Sequence, residues 1–137
     1  MTKDEILNME EGIQLDILIA ERVMGACAHY WKIVPREDDD GVCRICQKCH
    51  LEFWGLRPPV YGENYDSYST NISAALDVIV KMENNDYWWT ADNIVPNSDP
   101  VVYHWRFSKA GKRYDSNYDF SLPLAICHAA LLTTIEE

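Results

Sequence analysis

Apolar residues along the chain recur with two different periods, and the switches between them mark the elements. Thr2 and Asp4 precede a first short apolar pattern and are suited to cap it. Gly12 separates this helix from a second. From there Ile13, Ile17, Ala20 and Met24, with Leu18 and Ile19 beside them, share one helical face, and Gly25 is suited to end it. A second stripe, Ile72, Ala75, Leu76, Ile79 and Met82, comes after the N-cap candidates Ser69, Thr70 and Asn71 and ends at Asn84 and Asn85. Ser121 and Pro123 open a third, with Leu124, Cys127, Leu131 and Ile135 as its stripe. Between the last two the composition changes. Tyr87–Thr90 and Val101–Phe107 are dense in aromatic and β-branched residues and predict strands, parted by Pro96, Asn97, Asp99 and Pro100. Lys109–Lys112 predicts a hairpin turn into a short strand from Arg113 to Ser116.

Three principal helices and a small antiparallel sheet predict an α+β fold with the helices packed on the sheet. The 137 residues suffice for one domain, 1–137. No internal repeat or low-complexity tract interrupts it.

Three segments are similar to a known family. MTKDEILNMEEGIQLDILIAERVMG, YSTNISAALDVIVKM and LPLAICHAALL resemble, in that order, the phage ABA sandwich domain family. The resemblance spans nearly the whole chain. It implies a β-sheet flanked by helices, in small proteins of phage and prophage genomes that mostly lack an assigned activity. All three segments are apolar-striped helices, so they mark the fold. Function is to be sought between them.

Residues 26–57 fit neither period and read as a loop segment. They hold four of the five cysteines, together with His29, His50, Trp31, Trp54 and the polar turn Pro35–Gly41. Zn²⁺ takes four N or S ligands in a tetrahedron. A C-x2-C turn aims both thiolates at one metal, and residues i and i+2 of an extended strand face the same side. Cys27, His29, Cys46 and Cys49 are therefore the expected ligands of a structural Zn²⁺, with Cys43 and His50 as substitutes. The C-x-H-x-W…C-x2-C pattern resembles a small zinc site of other short phage and bacterial proteins, with His50 where a Gly is usual. Four protein ligands leave no open position for a catalytic water. Beyond this segment, Arg57-Pro58-Pro59 leads into a loop with Tyr61, Tyr65 and Tyr68.

Charge changes the picture next. Twelve Lys+Arg against 22 Asp+Glu give a net charge of −10. Such a chain is repelled by nucleic acid and by anionic membrane. No run approaches the roughly 18 apolar residues of a membrane span, and the acidic N-terminus is unlike a signal peptide. The expected location is the host cytoplasm.

One stretch opposes the general charge. Arg106, Lys109, Lys112 and Arg113 lie in a run free of acids from Val101 to Tyr114. Alternation puts Tyr103, Trp105 and Phe107 on one face of the strand and His104 and Arg106 on the other. Bases stack on aromatic rings, and phosphates pair with Arg and Lys. Trp88, Trp89, Trp105, Tyr65 and Tyr68 are thus the candidate stackers, and the four cations are the candidate phosphate partners. Aromatic strand residues also build cores, and hairpin cations also protect sheet edges.

Catalytic signatures are missing from the sequence: it has no Gly-rich phosphate loop, no H-E-x-x-H and no nucleophile elbow. Cys127 and His128 are neighbours on a helix and point about 100° apart, a poor nucleophile–base pair. His104 could serve as a base with Asp99 or Asp115, but the sequence selects neither. The phage-family resemblance, taken with the aromatic and cationic strand, implies a non-enzymatic counter-defence protein sequestering a nucleotide-derived host immune signal of the ADP-ribose or cyclic-nucleotide type. The alternative is an acidic, zinc-containing adaptor that binds a basic host protein. RNA binding through the zinc region is opposed by the charge. A homo-oligomer is compatible with either reading.

Overall fold

The C-terminal helix runs through the centre of the molecule. In the computed structural model, which describes residues 1–26, 31–34, 43–47, 50, 52–54, 66–94 and 101–135, helix α4 (Leu122–Leu132) is buried at every position from Ala125 to Leu132. The sequence predicts a single apolar stripe here. The structure instead surrounds the helix, with a sheet on one side and other helices on the rest. A helix that is apolar all round is a buried one.

Helix α1 (Lys3–Leu7) starts with a capping box. The Thr2 hydroxyl accepts the Glu5 N–H at 3.2 Å, and the Glu5 carboxylate accepts the Thr2 N–H at 2.6 Å. Helix α2 (Ile13–Leu18) continues directly into a π-helical turn, Ile19–Val23. The wider turn is closed by the Met24 N–H on the Ile19 carbonyl at 2.9 Å. Of the predicted face, Ile17, Ile19 and Ala20 are buried, joined by Leu15 and Val23, while Ile13 is 57% exposed. Gly25 ends the helix in the left-handed region, φ +76°, as its position predicts.

Residues 31–54 are the largest departure from the sequence reading of a zinc-folded loop. They contain an antiparallel sheet of β1 (Trp31–Val34), β2 (Cys43–Cys46) and β3 (Glu52–Trp54) in that order. Trp31 pairs with Cys46 and Val34 with Cys43, while Cys43 also pairs with Trp54. Cysteines and charges interrupt these short strands, so no apolar alternation announces them.

Helix α3 (Ile72–Asn84) is capped by Asn71, whose side-chain oxygen accepts the Ser73 and Ala74 N–H groups. Ser69 has another task. Its buried N–H donates to Asp16 at 2.7 Å, and its hydroxyl accepts the Gly12 N–H at 2.9 Å. This clamp ties the start of α2 to the turn that enters α3.

The second sheet is antiparallel, in the order β4 (Trp88–Ile94), β5 (Val102–Lys109), β6 (Lys112–Asp115). Ala110 and Gly111 form the predicted two-residue hairpin, both with positive φ. Trp105 and Phe107 join the core, where α4 lies against β5 and β6. Helices α1 and α3 and the π turn pack on α4 in turn.

Candidate functional site

Alternation along β5 divides the predicted ligand residues between the two faces of the sheet. Trp105 turns inward and is 4% exposed, so its ring is closed to a stacking base. It serves instead as a floor for Trp89, which stacks on it at 4.7 Å and 18°. Trp88 turns outward and is 80% exposed. Tyr68 is buried in the core, and Tyr65 lies outside the described residues.

The exposed aromatics gather where α3 turns into β4. Asp86, at φ +67°, makes that turn. Glu83, Asp86, Tyr87, Trp88 and Trp89 line an open cleft of about 490 Å³. The Trp89 indole N–H donates to Glu83 at 3.0 Å, which fixes the ring. A second cleft, of about 420 Å³, shares Asp86 and Tyr87 with the first and adds Arg22, Asn85, Lys109 and Thr133. Lys109 donates to the Asn85 carbonyl at 2.7 Å and sits 4.9 Å over the Tyr87 ring. The result is an aromatic, acidic half and a cationic half, with Tyr87 and Asp86 between them.

The remaining predicted cations are dispersed. Arg106 donates to Asp115 at 2.5 Å on the outer face. This hydrogen bond, and the charge behind it, raise the Arg106 pKa above its usual value and leave the guanidinium locally balanced. Lys112 and Arg113 are exposed at the hairpin. Arg113 borders a third cleft, of about 330 Å³, with Met1, Lys3, Tyr114 and Leu132.

His104 is selected by the tertiary structure. Its Nε2 lies 3.1 Å from Asp115, and its Nδ1 lies 3.6 Å from Asp92. The Tyr118 ring stacks on it at 5.1 Å, which buries it on the outer face. Sequence reasoning named Asp115 as one candidate partner and missed Asp92, whose position opposite His104 comes from the β4–β5 register.

The other reactive side chains are enclosed. Burial pushes the Cys127 thiol far above its ordinary value, and Asp16 adds to the shift. His128 donates from Nε2 to the Met9 carbonyl at 2.8 Å and places Nδ1 3.6 Å from Asp119. Burial raises the Asp119 carboxyl, and His128 opposes that rise. Of the expected zinc ligands, Cys46 is buried at the end of β2, and its carbonyl accepts the His50 N–H at 2.9 Å. Cys27, His29 and Cys49 lie outside the described residues. Among the described residues no three His, Cys, Asp or Glu side chains gather at metal distance.

Residues 17–131 match the Phage ABA sandwich domain. The chain belongs to the phage ABA sandwich domain family. A solved structure, described as a phage protein from Bacillus cereus ATCC 14579, is similar at a TM-score of 0.53 and 20% identity, covering 92% of this chain and 94% of that one. That likeness concerns the fold. No curated protein matches the chain. Among the described residues of this family member, no helix is long and apolar enough to cross a membrane.

Proposed function

We propose that this phage ABA sandwich protein is a non-catalytic binding protein that sequesters a nucleotide-derived small molecule. The ligand class is that of ADP-ribose derivatives and cyclic nucleotides, held in the host cytoplasm as a phage counter-defence measure. The observation that carries the reading is the pair of adjoining clefts at the α3–β4 turn. Trp88 and Trp89 offer a stacking surface. Glu83 and Asp86 accept hydrogen bonds from ribose hydroxyls or base amino groups. Those carboxylates repel phosphate, and Lys109 and Arg22 attract it on the far side of Tyr87. One nucleotide-sized ligand can satisfy both halves. Burial of the Cys127 thiol supports binding over covalent chemistry.

Structural Zn²⁺ belongs to the same proposal, at Cys27, His29, Cys46 and Cys49. The Trp31–Cys46 register supports it, because Cys27 and His29 precede Trp31 closely and Cys49 comes soon after Cys46. Elemental analysis of purified protein is expected to give one zinc per chain, reduced in Cys46→Ser.

The binding test is calorimetric titration with ADP-ribose, its cyclic forms and cyclic di- and trinucleotides. Trp88→Ala is expected to weaken the best ligand by roughly tenfold, since base stacking contributes about 1–3 kcal/mol. Lys109→Ala should weaken phosphate-bearing ligands and spare the nucleoside. Unchanged affinity in both variants would refute this placement. A second reading, an adaptor for a basic host protein, is supported by the net charge of −10 and by Phe120, which is 70% exposed.

A further inference from the structure

A three-stranded sheet has two edges, and those of β4-β5-β6 are built differently. The β6 edge is four residues long and carries Lys112, Arg113 and Asp115, charges that discourage another strand. The β4 edge is seven residues long, with Asp92 its only charge and no Pro, Gly or Lys. Every residue from Trp88 to Asn93 is exposed, Ala91 included. A long edge with so little charge is a template for strand addition.

The bonds of β5 reveal which β4 groups are available. Tyr103 exchanges backbone bonds with Asp119 at 2.7 and 2.9 Å, and the Trp105 carbonyl accepts the Ser116 N–H at 2.9 Å. Both residues thus spend their backbone groups on the β6 side. Successive residues of a strand alternate, so His104 and Arg106 turn theirs toward β4. Their partners there are Asp92 and Thr90. Trp89, Ala91 and Asn93 therefore direct N–H and C=O away from the sheet. Among the described residues no turn, loop or cap bond reaches these groups.

These three residues are spaced symmetrically about Ala91. An antiparallel copy centred there sets Ala91 against Ala91, Trp89 against Asn93, Thr90 against Asp92, and Trp88 against position 94. Every outward backbone group then has a partner. No two carboxylates meet, and each Asp92 faces a threonine. The contact is self-complementary and closes on itself.

We propose that β4 pairs with β4 of a second copy of this chain about a two-fold axis at Ala91, joining the two sheets into one. This inference does not depend on the ligand reading. The net charge of −10 on each copy opposes association, so salt should strengthen the dimer by screening. A single strand edge makes a contact below about 1,200 Å², so the dimer should dissociate on dilution.

Sedimentation equilibrium of the full chain, from about 1 to 500 µM, tests this in the dissociable range expected of a small interface. The mass is expected to rise from 15.9 kDa toward twice that value. Thr90→Asp sets carboxylates against Asp92 of the other copy at two symmetric places and should weaken the dimer roughly three- to tenfold. Thr90→Lys sets opposite charges there and should preserve or tighten it, which no other register demands. Ala91→Pro removes an outward N–H that an edge strand can forgo; it should give a folded monomer by circular dichroism. A wild-type monomer at every concentration overturns the proposal, whether β4 then pairs with another protein's strand or with none. A dimer indifferent to Thr90→Asp and Ala91→Pro overturns it too, since the interface would lie elsewhere.

Discussion

Removing the carboxylate of Asp16 should loosen the junction between α2 and the turn that enters α3. Asp16 is buried in α2, and its Oδ1 accepts the N–H of fully buried Ser69 at 2.7 Å. Ser69 in turn holds the Gly12 backbone through its hydroxyl. In Asp16→Ala the Ser69 amide keeps its burial and loses its acceptor. A charge-assisted hydrogen bond to a buried amide, with the amide left unsatisfied, costs about 2–3 kcal/mol. For a chain of 137 residues, each kcal/mol moves the midpoint by about 3–4 °C, so the melting temperature should fall by roughly 6–12 °C. Asp16→Asn keeps an acceptor oxygen in place and should lose less than about 1 kcal/mol. The assay is thermal and urea unfolding of the three proteins, with the urea slope checked for constancy. Equal losses in the two variants would show that the charge, not the acceptor, matters. Losses of about 1 °C or less in both, far below the fall expected for a lost buried bond, would refute the clamp altogether.

Three further outcomes rest on single residues. Ala110 holds a left-handed conformation at φ +52° in the hairpin; Ala110→Asn should stabilise the fold by about 0.5–1 kcal/mol, read as a higher melting temperature. The backbone N–H of Thr2 holds the Glu5 carboxyl below its ordinary value of 4.5. A depressed carboxyl stabilises the fold above its unfolded pKa and loses that effect as pH falls through the folded value. Amide protection in α1, taken relative to intrinsic exchange at each pH, should therefore fall as pH drops below 4.5, and Glu5→Gln should flatten that dependence. Peptide-mapped iodoacetamide labelling at pH 8 should spare Cys127 in the native protein and modify it in urea, because burial suppresses its thiolate; native labelling would contradict that burial.

Legibility in the sequence tracked how local the cause was. Caps and turns were readable because each depends on neighbouring residues: Asn71 before α3, Gly25 after the π turn, Ala110-Gly111 in the hairpin. The predicted face of α2 holds at Ile17, Ile19 and Ala20, which are buried, while Ile13 is exposed at the first position of the helix, and a fixed period of 3.6 does not reveal the π turn that follows. The sheet β1–β3 was missed because its strands are short and interrupted by cysteines and charges. Trp88 and Trp89 were found as aromatics, but the cleft they share with Glu83 was not, since it forms across a turn.

The sequence alone determined the family, the α+β class, the order of the helices, the paired strands with their hairpin, and the acidic charge. Only the tertiary structure decided which face of each strand is covered. A period of two says that Trp105 and Phe107 share a side, and it is equally satisfied whether that side meets α4 or water. Packing of the central helix settled it: Trp105 went inside, Trp88 stayed outside, and His104 came to lie between Asp92 and Asp115. Such outcomes depend on residues far apart in the chain, whose encounter is fixed by burying apolar surface and not by any local preference.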